Sequence, residues 1–202
     1  MSEAVGVSTR TGKDRAARLV TEVFAPAVWA AAMPLVVAVQ AAGWVRGPLW
    51  GLLAVFFSAA LPYAVVRLAV RRGRLTDHHI GVREQRRGPL LFGMVCVLVG
   101  LALLTAFDAP RQLVAMVVVI LAVLAVVTAV NQVWKLSVHC AVAAASVTVL
   151  AVLLGPALLA GYPLVALVAW SRVRLGDHTR AQVVAGTVAG VAVAAPVFLA
   201  LV

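Results

Sequence analysis

The chain has 202 residues, 64% of them hydrophobic and only 12% charged, with a net charge of +10. An ordinary soluble domain carries about 25% charge, so a soluble fold is excluded, and with it the basic soluble module that nucleic-acid binding requires. The apolar residues come in long runs without strand-like alternation, which selects an all-α transmembrane bundle over a β-barrel.

In chain order, residues 1–20 carry Arg10, Lys13, Arg15 and Arg18. They read as a basic tail, mobile or lying on the surface, ahead of a transmembrane domain over 21–202. No convincing cleavage site follows, so the first apolar run reads as an uncleaved helix. Apolar spans are expected near 22–43, 49–70, 89–107, 112–133, 138–155, 157–171 and 182–202. That makes seven, or six if one is re-entrant. Gly155-Pro156 marks a tight turn, and Gly161 and Pro163 are placed to bend the sixth span. Gly186 and Gly190 form a small-xxx-small pattern, the mark of close helix packing. Cys96 and Cys140 lie far apart in or beside apolar runs and read as small buried hydrophobes.

Charge orients the bundle. With the N-terminus inside, the inner segments and their flanks hold 15 of the 17 Lys and Arg residues, and the outer turns only Arg46 and Arg111. This positive-inside bias predicts a multi-pass cell-membrane protein with a cytoplasmic N-terminus. All four histidines, His78, His79, His139 and His178, fall on the same inner side. A solvated loop charge is the ordinary reading of any one of these polar residues. For His139 and His178 it is weaker, because each stands beside a cation where a span begins.

The third polar segment reads Ser171-Arg172, five residues, His178, three residues, Gln182, three residues, Gly186. It resembles the Ser-Arg-x5-His-x3-Asp motif of the type 2 phosphatidic acid phosphatase (PAP2) and vanadium haloperoxidase superfamily, with Gln182 where that motif has Asp. The family's second motif, Pro-Ser-Gly-His, is matched in part by Leu136-Ser137-Val138-His139. The first, Lys-x6-Arg-Pro, is matched loosely by His79-x6-Arg86 within Asp77–Arg86, with Pro89 shifted and no lysine. The motif order agrees, and two spans separate each motif from the next. Even numbers of crossings bring all three to one membrane face.

The resemblance implies a PAP2-like core and hydrolysis of a lipid phosphate monoester or diphosphate, such as phosphatidate or a polyprenyl phosphate, through a phosphohistidine. No cofactor or metal is expected, and oligomeric state is not indicated. By position, His178 is the nucleophile and His139 the acid for the leaving alcohol. Arg172, Ser137, Arg83 and Arg86 would bind phosphate, with His79 at the first motif's lysine position. Lys135 is either a further phosphate contact or an interface cation. A neutral imidazole keeps a nucleophilic lone pair, and arginine's planar fork suits phosphoryl oxygens. Gln182 can accept the ring N–H of His178 but supplies no negative charge, and in serine hydrolases an amide at the analogous place costs roughly 10⁴ in rate. Asp177 adjoins His178 but on a helix would point away from a 178–182 pair. The alternative function is therefore a degenerate relative that binds lipid phosphates without hydrolysing them.

Overall fold

The computed structural model describes residues 11–76, 85 and 87–202. Among these, all regular structure is helical.

Helix α1 (Gly12–Val23) starts at a capping box. Thr11 donates its hydroxyl and backbone N–H to the Asp14 carboxylate at 2.8 and 3.0 Å, and accepts the Asp14 N–H at 3.4 Å. These bonds satisfy helix-start donors that would otherwise be orphaned. Ala17 and Thr21, one turn apart, are its buried residues, and this face packs on α7. From Gly12 onward the segment read as a basic tail is thus a docked helix, because positions 17 and 21 share one face.

Helix α2 (Pro26–Val55) reverses direction at Gly43, whose φ of 71° and ψ of 177° lie in a region essentially reserved for glycine. Its two arms run antiparallel in close contact. A Cβ on Gly47 would stand 2.5 Å from the Val39 Cα, and one on Gly51 2.8 Å from a Leu35 methyl. The second arm widens into a π turn at Phe56–Ala60 and continues as α3 (Leu61–Arg71). There the Ser58 hydroxyl sits between the carbonyls of Ala30 (3.0 Å) and Ala54 (2.8 Å). Beyond Ser58 the arms part, and α3 packs along α4.

Next come α4 (Arg87–Ala106), α5 (Arg111–Val130) and α6 (Val138–Leu154). A tight 3₁₀ turn at Pro156–Gly161 leads into α7 (Tyr162–Arg174), so the sixth span changes pitch at Gly161 as its sequence suggests. Helix α8 (Arg180–Leu201) ends the chain. Five helical stretches are long and apolar enough to cross a membrane. The first is the hairpin from Pro26 to Arg71, which is two crossings, and the shorter apolar α6 adds another. The described residues therefore form a seven-span bundle in which the predicted spans recur with small shifts at their ends.

The core gathers between α2, α4, α5, α6 and α8 around Val37, Leu104, Leu113, Val119, Val149 and Phe198. The closest approach is between α6 and α8. A Cβ at Gly186 would stand 2.5 Å from the Ser137 carbonyl oxygen, and one at Gly190 would strike the Ala141 carbonyl oxygen. The small-xxx-small pattern thus lets two backbones touch. At the opposite end, Arg111 Nε donates to the Leu201 carbonyl at 2.6 Å, tying the start of α5 to the end of α8.

Candidate functional site

The start of α6, the end of α7 and the start of α8 meet at one end of the bundle. Two local devices put their polar residues there. The first is the end of α7. Gly176 adopts a left-handed φ of 72°. The Asp177 and Gly176 N–H groups then bond back to the Arg172 and Val173 carbonyls at 3.1 and 3.0 Å, a Schellman turn. The His178 N–H also reaches the Arg172 carbonyl, at 3.3 Å. The five-residue spacing between Arg172 and His178 is thus the length of this turn, which brings the second residue back to the first. The other device is the capping box of α8, in which Thr179 accepts the Gln182 N–H at 3.3 Å and donates its own to Gln182 Oε1 at 3.0 Å.

That capping box fixes the amide of Gln182. The atom that accepts the Thr179 N–H must be its oxygen. The same oxygen lies 3.3 Å from His178 Nδ1, and the Lys135 carbonyl oxygen lies 3.3 Å from it on another side. Both neighbours can only accept, so the arrangement calls for a proton on Nδ1, and in the neutral ring that leaves the lone pair on Nε2. Both histidines are buried, His139 at 5% exposure and His178 at 6%. They line one cavity of about 810 Å³.

The rest of that cavity is mostly apolar, with Glu22, Ser58, Tyr63 and Ser146 among its lining residues. Its walls come from the first arm of α2 (Trp29, Leu35), the π turn and α3 (Pro62), and the site-side halves of α4, α5 and α6. Val28 and Tyr63 line it although they are 48% and 41% exposed. The cavity therefore opens through the bundle's side, between the parted arms of the first hairpin, where a membrane would present lipid.

Arg172 is buried at 3% exposure. One guanidinium nitrogen pairs with Asp177 at 3.0 Å and another donates to Thr21 at 3.3 Å. Asp177 thus spends its charge on Arg172 in this arrangement. Ser137 is fully buried, and its hydroxyl oxygen caps α6 by accepting the Cys140 N–H at 3.5 Å. Its backbone N–H donates to the Gln182 carbonyl at 3.3 Å, so the second and third motifs are joined directly. Lys135 enters through its main-chain carbonyl. His79, Arg83 and Arg86, with Asp77, His78 and Glu84, lie outside the described residues.

Sequence reasoning missed the Lys135 carbonyl, Thr21 and the Arg172–Asp177 pair. A carbonyl leaves no trace in residue type. Thr21 does leave one, as a hydroxyl four residues after Ala17 on the face that α1 buries. On the outside of α7, Arg174 pairs with Asp14 at 2.9 Å and donates to Thr11 at 3.2 Å. The bonds from Thr11, and then Arg174, hold the Asp14 carboxyl below its ordinary pKa.

Fold and site together define a helical membrane protein with a histidine centre at one end of its bundle. Over residues 133–202 the chain matches the family model described as PAP2 superfamily. That segment carries the stretches read above as the second and third motifs, and the resemblance read from them agrees with this match. Neither curated proteins nor solved structures gave a match.

Proposed function

We propose that the protein hydrolyses the phosphate monoester or diphosphate of a lipid, with the phosphate at the His178 end of the cavity and the hydrocarbon tail in its apolar body. The observation that carries this reading is the seating of His178. With Nδ1 held between two carbonyl oxygens, Nε2 is the basic nitrogen. In the reaction the Nε2 lone pair forms a bond to phosphorus while the bond from phosphorus to the lipid oxygen breaks. His139, on the same cavity, gives its proton to the departing alkoxide. Water then attacks the phosphohistidine, releasing phosphate and restoring both histidines.

Several features favour an anion here. Helices α6 and α8 both begin at the site, so their positive dipole ends face it. Arg172 offers charge at the base of the site, and Arg83 and Arg86 are the proposed first-motif cations. Two carbonyl dipoles take up the orienting task that a carboxylate performs elsewhere in the superfamily. They give His178 the needed tautomer but weaker stabilisation of the cation formed on attack, so turnover is expected to be slow. The basic balance favours the site end facing the cytoplasm.

His178→Ala is expected to abolish phosphate release from phosphatidate and prenyl phosphates in detergent. Wild-type turnover no higher than that of this variant would sink the enzymatic reading. The pairing of Arg172 with Asp177 favours the second reading, a protein that binds lipid phosphate without cleaving it. Gln182→Asp separates the two, since gain of activity in an otherwise inactive protein marks a binder.

A further inference from the structure

Thr21 is 3% exposed on a helix whose other residues, Ala17 apart, face outward at least in part. A hydroxyl at such a place carries a desolvation cost that alanine or valine would avoid, unless its hydrogen bonds are used. They are used, and in one direction. The Ser171 hydroxyl donates to the Val168 carbonyl at 2.7 Å, which commits its only proton. The Thr21 hydroxyl, 3.1 Å away, must therefore donate to Ser171. That leaves the Thr21 oxygen to accept from Arg172, at 3.3 Å.

We infer that Thr21 is a positioning residue of the phosphate site, fixing the guanidinium of Arg172 from a helix outside the segment that matches the superfamily. The inference rests on the proposed phosphate site. Arg172 has two described anchors of unlike character. Thr21 is neutral, buried and locked by the Ser171–Val168 relay. Asp177 is charged, and its side chain is 37% exposed, so it can swing into solvent. An incoming phosphate replaces Asp177 on one guanidinium nitrogen while Thr21 keeps hold of the other. Asp177 then acts as a stand-in anion, keeping the buried cation paired while the site is empty. The bonds from Arg174 to Asp14 and Thr11 fix the far end of the same helix face, so α1 is attached to α7 at two points.

The test uses the full chain in detergent and reads binding of inorganic phosphate by calorimetry, beside phosphate release from a short-chain phosphatidate. Thr21→Val should weaken phosphate binding about tenfold, the scale of one hydrogen bond to a charged group, and raise KM more than it lowers kcat. Thr21→Ser, which keeps the relay, should bind within about twofold of wild type. Asp177→Asn should bind phosphate more tightly than wild type, because the competing anion is gone. Unchanged binding in Thr21→Val, equal weakness in the Ser and Val variants, or weaker binding in Asp177→Asn would overturn the inference. Because binding is read without turnover, an inactive wild type that binds phosphate and loses it in Thr21→Val upholds Thr21 while sinking the phosphatase reading. A wild type that binds no phosphate overturns both.

Discussion

Helices α3 and α6 both have an end at the site face, yet α6 buries 11 of its 17 residues and α3 buries none. The contrast follows from what each one faces. Helix α6 lies against α8 because Gly186 and Gly190 admit its backbone, and it carries Ser137 and His139 at its start. Helix α3 continues an arm that stays against its partner at Gly47, Gly51 and Ser58, and then departs to wall a mostly apolar cavity. Small residues bring helices together in both places. At α6–α8 the contact reaches the site and fixes it. In the first hairpin the contact ends at Ser58 and Ala30 and leaves an opening beyond them. On the proposed function this is a division of labour, with the chemistry held on the closed side and the hydrocarbon admitted on the open one.

The comparison can be broken most sharply on the closed side. Gly186→Ala places a methyl against the Ser137 carbonyl. It should lower stability by about 1–3 kcal/mol through overpacking and remove most phosphate release, read by thermal unfolding in detergent and by turnover. On the open side a larger insertion should be tolerated. Ala31→Phe, into the cavity wall, should leave stability within about 0.5 kcal/mol. It should cut turnover of a long-chain lipid phosphate about tenfold, the scale on which an apolar pocket discriminates chain size, while sparing a short-chain one. Equal losses for both chain lengths would remove the tail from the cavity.

A smaller effect on activity is expected at the hairpin turn. Gly43→Ala forces a side chain into a glycine-only conformation and should cost about 1–3 kcal/mol, with turnover per folded molecule retained. The smallest effect is at the docked α1. The pKa of Asp14 is depressed in the fold, so its contribution to docking is present above the ordinary carboxylate range and fades as pH falls through the depressed value. Asp14→Asn should slightly increase proteolysis of α1 at neutral pH and flatten its rise in acid. An acid response identical to wild type would remove Asp14 from that role.

Much of this was legible from residue order. Apolar runs mark the spans because hydrocarbon tolerates only internally bonded backbone. The Ser171–Gly186 spacing locates the site, because a Schellman turn and a capping box are short-range devices. Gly186 belongs to the motif for a reason that contacts alone supply, the Ser137 carbonyl beneath it. The seating of His178 was only half legible. Gln182 could be read as an acceptor, but the second acceptor is a main-chain carbonyl that comes from a loop 43 residues away, and every residue type carries one.

By itself, then, the sequence determined a helical membrane bundle with His139 and His178 at one end, since hydropathy and local turns act through neighbours along the chain. Tertiary structure alone decided that α1 docks on α7 and reaches Arg172, that Asp177 pairs with Arg172, and that the hairpin arms part to open a cavity onto both histidines. Those outcomes depend on which faces meet across the bundle, and linear order does not record that geometry.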